Sequence, residues 1–365
     1  MGALTNYYTD PAGGSDITGN GTIGNPWATV QKALNTITRD ATNGDQINVK
    51  AGGTDALVAA LTWATYGTPT ETAPCILRGY TSVANDGGIG VVSGNGLVAC
   101  INSGSLAQIK LIDMRFTNCG SATILTLGAG TLVVNCEIDT TTGSGISAAG
   151  GFFNNFIHNI STTGIAAGAS SRIAFNTFRN STNDFTQAIS TNQTSAVLFN
   201  IIDLDGASHG ILINGDNTLT MLNSVFSNGG TGTGIRNAST GDQNAAIMNN
   251  TVEGFSGSGG IGILAAGTNS DIVAYNLLYN NATNVSITGD ENSGLGNNST
   301  AGSSPFINAG SDDFDPIAGL LALYPSYPTT WKSYGSTQQN LIRMAAQYAA
   351  SAAGGGPLIG GRLVK

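Results

Sequence analysis

The chain has 365 residues, of which 41% are apolar and only 10% charged, against a usual charged share of about 25%, and it carries 52 glycines. That balance excludes ordinary disorder, which needs high net charge and few apolar side chains. A net charge of −9 argues against a nucleic-acid surface, which needs clustered Lys and Arg to release counterions, and no apolar run approaches the roughly 20 residues that span a bilayer.

The start, Met1 to Asn6, has neither the basic nor the apolar region of a secretory signal. The first element is a helix over Pro26–Ile37, with Trp27, Val30, Leu34 and Ile37 on one face and Pro26 at the favoured first position. It belongs to an N-terminal extension, residues 1–43, and reads as a cap over the first coil of the repeat region.

From 44 to 304 the chain repeats. Three apolar residues, an asparagine, any residue and another apolar residue recur, as in Ile173 to Phe178 and Val197 to Ile202. The asparagines are Asn155, Asn176, Asn200, Asn223, Asn250 and Asn276, with Cys136 and Met114 in the same slot upstream. Gaps of 21, 24, 23, 27 and 26 residues suit coils whose loops differ in length. A second marker opens another strand in each coil: Gly145-Ile146, Gly164-Ile165, Ala188-Ile189, Gly210-Ile211, Gly234-Ile235 and Gly260-Ile261.

These signals predict an all-β fold, a right-handed parallel β-helix of roughly ten coils, each supplying about three short strands that pair in parallel at about 4.8 Å. The asparagine column marks a corner, where a side-chain amide bridges to the next coil and Asn tolerates left-handed φ. Between Gly53 and Ala107 the signature fades and leaves the register open.

Cys75, Cys100, Cys119 and Cys136 have no CxxC spacing, so a zinc reading is weak. Their separations of 25, 19 and 17 residues approach one coil. They read as buried thiols packing as small apolar groups, with an inter-coil disulfide left to geometry.

Three positions after the asparagine slot, successive coils present Asp139, His158, Arg179 and Asp203. This candidate surface column reads first as a salt-bridge ladder. Its functional readings are a binding stripe, or an acid–base pair with an arginine clamp. Gly257 to Gly262 satisfies GxGxxG without a following helix and reads as a turn, and the acidic runs at Asp203–Asp205 and Asp312–Asp315 read as solvated turns before calcium ligands.

Residues 305–365 hold a connector, then a helix with Ser336 and Gln339 as a capping box and Leu341, Met344, Ala345 and Tyr348 on one face. The helix stops at Gly354 to Pro357, and a tail runs to Lys365.

Tyr7 to Asp16, Asn25 to Leu34 and Gly44 to Val49 resemble the opening of pectate-lyase-like β-helix proteins, a resemblance that covers about residues 6–310. It implies the fold and leaves function open, since that superfamily includes polysaccharide lyases, hydrolases, adhesins and phage tailspikes or other virion proteins. In its enzymes the chemistry sits on the outer face of the strand that here opens with Gly-Ile. The outward positions there read Ser147, Ala166, Ser190, Leu212, Arg236 and Gly262, an inert set.

The expected function is therefore a non-catalytic virion structural protein, a capsid decoration (cement) or fibre component on the particle surface. Its expected partners are a viral shell protein or sister chains, as a homotrimer by analogy with tailspikes, and a host surface glycan. Nucleic acid, membrane insertion, metals and cofactors are not expected, and no catalytic residue is assigned. The alternatives are a polysaccharide lyase or glycoside hydrolase, or a carbohydrate-binding adhesin, located extracellularly.

Overall fold

The computed structural model describes residues 4–103, 106–179, 185–204, 209–215, 217–238, 245–266, 271–287, 294–296, 298–301, 303–304, 306–308, 313–316, 358–359 and 362–363. The expected C-terminal helix and most of the connector and tail lie outside these residues. The chain divides into two compact units, Met1–Arg172 with Ser181–Asn183, and Ile173–Asn180 with Asp184–Lys365.

Each unit holds three parallel sheets, and from Cys75 to Thr300 each of these takes every third strand, which is the topology of a β-helix. In the first unit one sheet stacks Thr5–Thr9, Asp45–Lys50, Cys75–Tyr80, Ile109–Ile112, Thr131–Val134 and Gly150–Phe153. The N-terminal segment expected as an extension thus supplies a strand of that sheet: Thr5–Thr9 pairs in parallel with Asp45–Lys50. The second sheet stacks Thr54–Ala56, Gly90–Ser93, Met114–Thr117, Glu137–Thr141 and Phe156–Ile160, and the third Ile101–Asn102, Leu125–Thr126, Ile146–Ala148 and Thr163–Ala167. The pairings Thr54↔Val91 and Leu77↔Leu111 settle the register that the fading signature left open.

Alternation places one set of side chains inside. Leu111, Val133 and Phe152 form one fully buried column, and Phe116, Ile138 and Ile157 another. In the second unit Phe178, Ile202, Val225, Val252 and Leu278 stack the same way. Burying a side chain of this size is worth about 1.5–3 kcal/mol, and like stacks on like because the coils repeat.

The corner differs from expectation in one respect. The left-handed residue is the one before the ladder slot: Asp113, Asn135 and Asn154 in the first unit, and Phe175, Phe199, Leu222, Asn249 and Tyr275 in the second, all at φ between +54° and +61°. The ladder asparagines work as bridges. Asn200 Oδ1 accepts from both the backbone N and Nδ2 of Asn176, Asn223 does the same for Asn200, Asn250 for Asn223, and Asn276 for Asn250. Asn298, missed because no apolar triplet precedes it, extends the ladder to Asn276. In the first unit Asn155 Oδ1 accepts from Cys136 N at 2.9 Å, so the cysteine occupies the slot without bridging by amide.

The N-terminal helix runs Val30–Thr36, shorter than expected, because Thr29 is extended and caps it by accepting from Lys32 N. Pro26 therefore stands outside the helix. Asp16 Oδ1 holds the Ala28 and Thr29 amides, and Trp27, Val30, Leu34 and Ile37 are all buried.

One register is corrected in the third sheet of the second unit. Ile235 pairs with Ile263, so the marker there is Gly262-Ile263, and the outward residue is Leu264 instead of Gly262. The glycine run before it closes a turn, Gly260 N to Gly257 O at 2.9 Å with Gly259 at φ +84°, as the motif's lack of a helix implies. All four cysteines are buried free thiols. Among the described residues no helix is long and apolar enough to cross a membrane.

Candidate functional site

Three neighbouring strands of the second sheet in the first unit, Met114–Thr117, Glu137–Thr141 and Phe156–Ile160, carry the densest charge. Their inward residues anchor the backbone, and the register sets two outward columns side by side. Arg115 faces Glu137, which faces Phe156; Thr117 faces Asp139, which faces His158.

Arg115 Nη2 donates to Asp139 Oδ2 at 2.6 Å, and its Nε lies 3.5 Å from Glu137 Oε1. His158 Nε2 lies 3.1 Å from Glu137 Oε1 and 3.8 Å from Asp139 Oδ2. The other ring nitrogen, Nδ1, is 3.0 Å from Asn159 Nδ2, and Phe156 stacks on the imidazole at 4.3 Å. Exposure is graded: the side chain of Arg115 is 40% accessible, Glu137 33%, His158 16% and Asp139 3%.

The electrostatics follow from that packing. The hydrogen bond with His158, aided by the Arg115 charge, holds the Glu137 carboxyl below its ordinary value against the effect of burial. Burial works against the Arg115 charge, but the hydrogen bond and charge of Asp139, with Glu137 behind it, more than offset this and push the guanidinium up. Asp139 Oδ1 is buried without a hydrogen-bond partner.

Glu137, Asp139 and His158 each offer a ligand atom within 4.8 Å of the others, a donor set of the kind Zn²⁺ accepts. Arg115 already supplies positive charge to both carboxylates, so a cation would have to displace it.

Of the four residues expected in one column, the structure joins Asp139 and His158 through Glu137 and Arg115. Neither of these two was singled out from sequence, yet both lie two residues before the chosen column. Reading the same outward face at period two would have found them. In the second unit Arg179 sits opposite Asp203, followed in register by Phe226, Glu253 and Tyr279. Asp203 and Glu253 are both buried. Burial pushes the Glu253 carboxyl up, although Ser304 Oγ donates to it at 2.8 Å. Asp205 and Asp312 lie outside the described residues.

The third sheet carries a polar pair that sequence reading passed over. His209 Nδ1 accepts from Thr233 N, and its Nε2 lies 3.4 Å from Arg236 Nη1. Burial, with the Arg236 charge, lowers its affinity for a proton.

No protein-family model and no curated protein matches the chain. Similar solved structures include XylC in complex with xylose, at 9% identity over 78% of this chain and 70% of that one with a TM-score of 0.58. Another is the selenomethionine derivative of the GH136 lacto-N-biosidase from Eubacterium ramulus, at 12% identity over 81% and 67% with a TM-score of 0.51. Pectate lyase Pel9A aligns more loosely, with a TM-score of 0.41 at 12% identity over 86% and 85%, and carries no weight here. Identities this low speak to architecture alone, and together with the three-sheet topology they establish that the chain is a right-handed parallel β-helix.

Proposed function

We propose that the chain is a carbohydrate-binding β-helix protein that holds a neutral glycan on the outer face of Met114–Thr117, Glu137–Thr141 and Phe156–Ile160 without cleaving it. The observation that carries this reading is the graded exposure of one fixed network. Arg115 and Glu137 reach the surface as donor and acceptor, while buried Asp139 and half-buried His158 lock their positions from behind. Polar groups immobilised on strands bind hydroxyls without a large ordering cost, and the half-buried Phe156 beside them offers an apolar surface. A net charge of −9 favours neutral over polyanionic chains.

The same contacts argue against turnover. Glycoside hydrolysis needs a carboxylic acid that is protonated at work, and Glu137 is held in its charged form while Asp139 Oδ2 is tied to Arg115. A general base needs a free nitrogen, and both ring nitrogens of His158 are engaged. Two proteins of similar fold, one solved with xylose and one named a lacto-N-biosidase, lend the glycan class support by analogy. The virion surface, with a shell protein or sister chains in a homotrimer as partners, is the setting we propose for this binding. It rests on composition and the sequence resemblance.

The test is a glycan array followed by calorimetry on the hits, with reducing ends and unsaturated products assayed on the same glycans and light scattering for the assembly. Binding that falls at least tenfold in Arg115→Ala and Glu137→Gln, with no product, is expected. Product release would overturn the non-catalytic reading, and undiminished binding in both variants would overturn the site. A monomer by light scattering would overturn the trimer.

A further inference from the structure

We infer that Cys100 and Cys119 are a site of covalent modification, joined on oxidation as a cystine that clips one coil to the next. The two Sγ atoms lie 3.1 Å apart, and both residues are fully buried. They lie on adjacent coils at non-equivalent positions, Cys100 just before the strand Ile101–Asn102 and Cys119 just after Met114–Thr117, so it is the side chains that bring the sulfurs together. Closing from 3.1 Å to about 2.05 Å asks for a small side-chain adjustment.

The surroundings are shaped for two sulfurs. A Cβ at Gly94 would collide with Val98 O and come within 2.7 Å of Cys119 Sγ, so the glycine that the backbone turn requires also leaves room for the sulfur. Cys100 Sγ also approaches the Val92 and Thr117 carbonyls at 3.6 and 3.7 Å, and Cys119 Sγ approaches Thr117 O at 3.6 Å. The remaining cysteines have other surroundings. Cys75 Sγ accepts from Trp63 Nε1 at 3.3 Å, Cys136 Sγ faces Val134 O, and burial pushes both thiols up to about 12.

With a low-molecular-weight disulfide as oxidant, the thiolate of one of the two cysteines attacks one of its sulfurs and expels a thiolate. The other cysteine then attacks the mixed disulfide and expels the second. Two electrons pass to the small disulfide, and the two cysteine protons end on its two thiols. Since both sulfurs are buried in the folded chain, the exchange belongs to folding, before the core closes. Cys119 lies just beyond the strand Met114–Thr117, so the cystine would pin the end of the element that carries Arg115. The inference is independent of glycan binding.

The test is refolding of the full chain in oxidised or in reduced glutathione, followed by intact mass, peptide mapping and thermal melting. Oxidative refolding is expected to give a product lighter by two hydrogens with a Cys100–Cys119 linkage, leaving Cys75 and Cys136 as thiols. Its Tm should be higher by about 5 °C and fall back on reduction. Cys100→Ala, checked for its fold by circular dichroism, should show no mass loss. Four free thiols after oxidative refolding, a linkage involving Cys75 or Cys136, or a persisting mass loss in Cys100→Ala would each overturn the inference.

Discussion

Asn223 Oδ1 accepts two hydrogen bonds from Asn200, at 2.9 Å from its backbone N and 2.9 Å from its Nδ2, while Asn223 Nδ2 donates to Val197 O in the coil of Asn200 and to Met221 O in its own. One buried amide thus satisfies backbone groups on two coils. Asn223→Ala removes it and leaves those groups unpaired, at a cost of about 2–4 kcal/mol if one to two of them stay dry. Urea denaturation would read this as a lower midpoint at unchanged slope, and a loss below about 0.5 kcal/mol would mean that water replaces the ladder.

The neighbouring position should respond in the opposite direction. Leu222 holds φ +58°, a conformation that costs a bulky residue roughly 1 kcal/mol or more and that Asn adopts with less strain. Native Asn154-Asn155 and Asn249-Asn250 show the favoured pairing at the same corner. Leu222→Asn is expected to be neutral to stabilising by about 1 kcal/mol. A clear fall in the denaturation midpoint would show that Leu222's packing outweighs its backbone strain.

Glu253 makes a prediction about pH. Its carboxyl is raised above 4.5 by burial, so the folded chain holds this proton more tightly than the unfolded one. The stability contributed by the protonated form is present at low pH and is lost as pH rises from about 4.5 through the folded value. Glu253→Gln keeps an oxygen for Ser304 and removes the charge. It should be more stable than the wild type at pH 7, with the advantage shrinking towards pH 4. Equal differences in urea midpoint at the two pH values would contradict the assigned shift.

Arg115 should decide whether the site takes a divalent cation. Without its guanidinium, Glu137, Asp139 and His158 face one another with ligand atoms within 4.8 Å and uncompensated charge. Arg115→Ala is expected to lose stability in buffer and to regain Tm with Zn²⁺, reversibly on adding a chelator, to a greater extent than the wild type. The same zinc response in both proteins would rule out Arg115 as the competing cation.

The architecture is legible in the sequence because a β-helix writes its repeat into the chain: apolar residues at period two are needed wherever coils stack, and through the second unit a ladder asparagine returns once per coil. The same repetition placed Asp139 opposite His158. What could not be read is whatever depends on reach across coils or on loop length. Arg115 meets Asp139 diagonally, two residues along and one coil away, and no column of like positions reveals a diagonal contact. The marker at Gly262-Ile263 slipped by two because the preceding turn adds residues without changing the face. Phe175, Phe199 and Leu222 sit in a left-handed corner that composition would assign to Asn or Gly, since there stacking against neighbouring coils, as between Phe175 and Phe199 at 5.0 Å, competes with backbone preference. The approach of Cys100 to Cys119 also belongs to three-dimensional packing: the two thiols sit at non-equivalent positions of neighbouring coils, where no column of like positions reveals their contact.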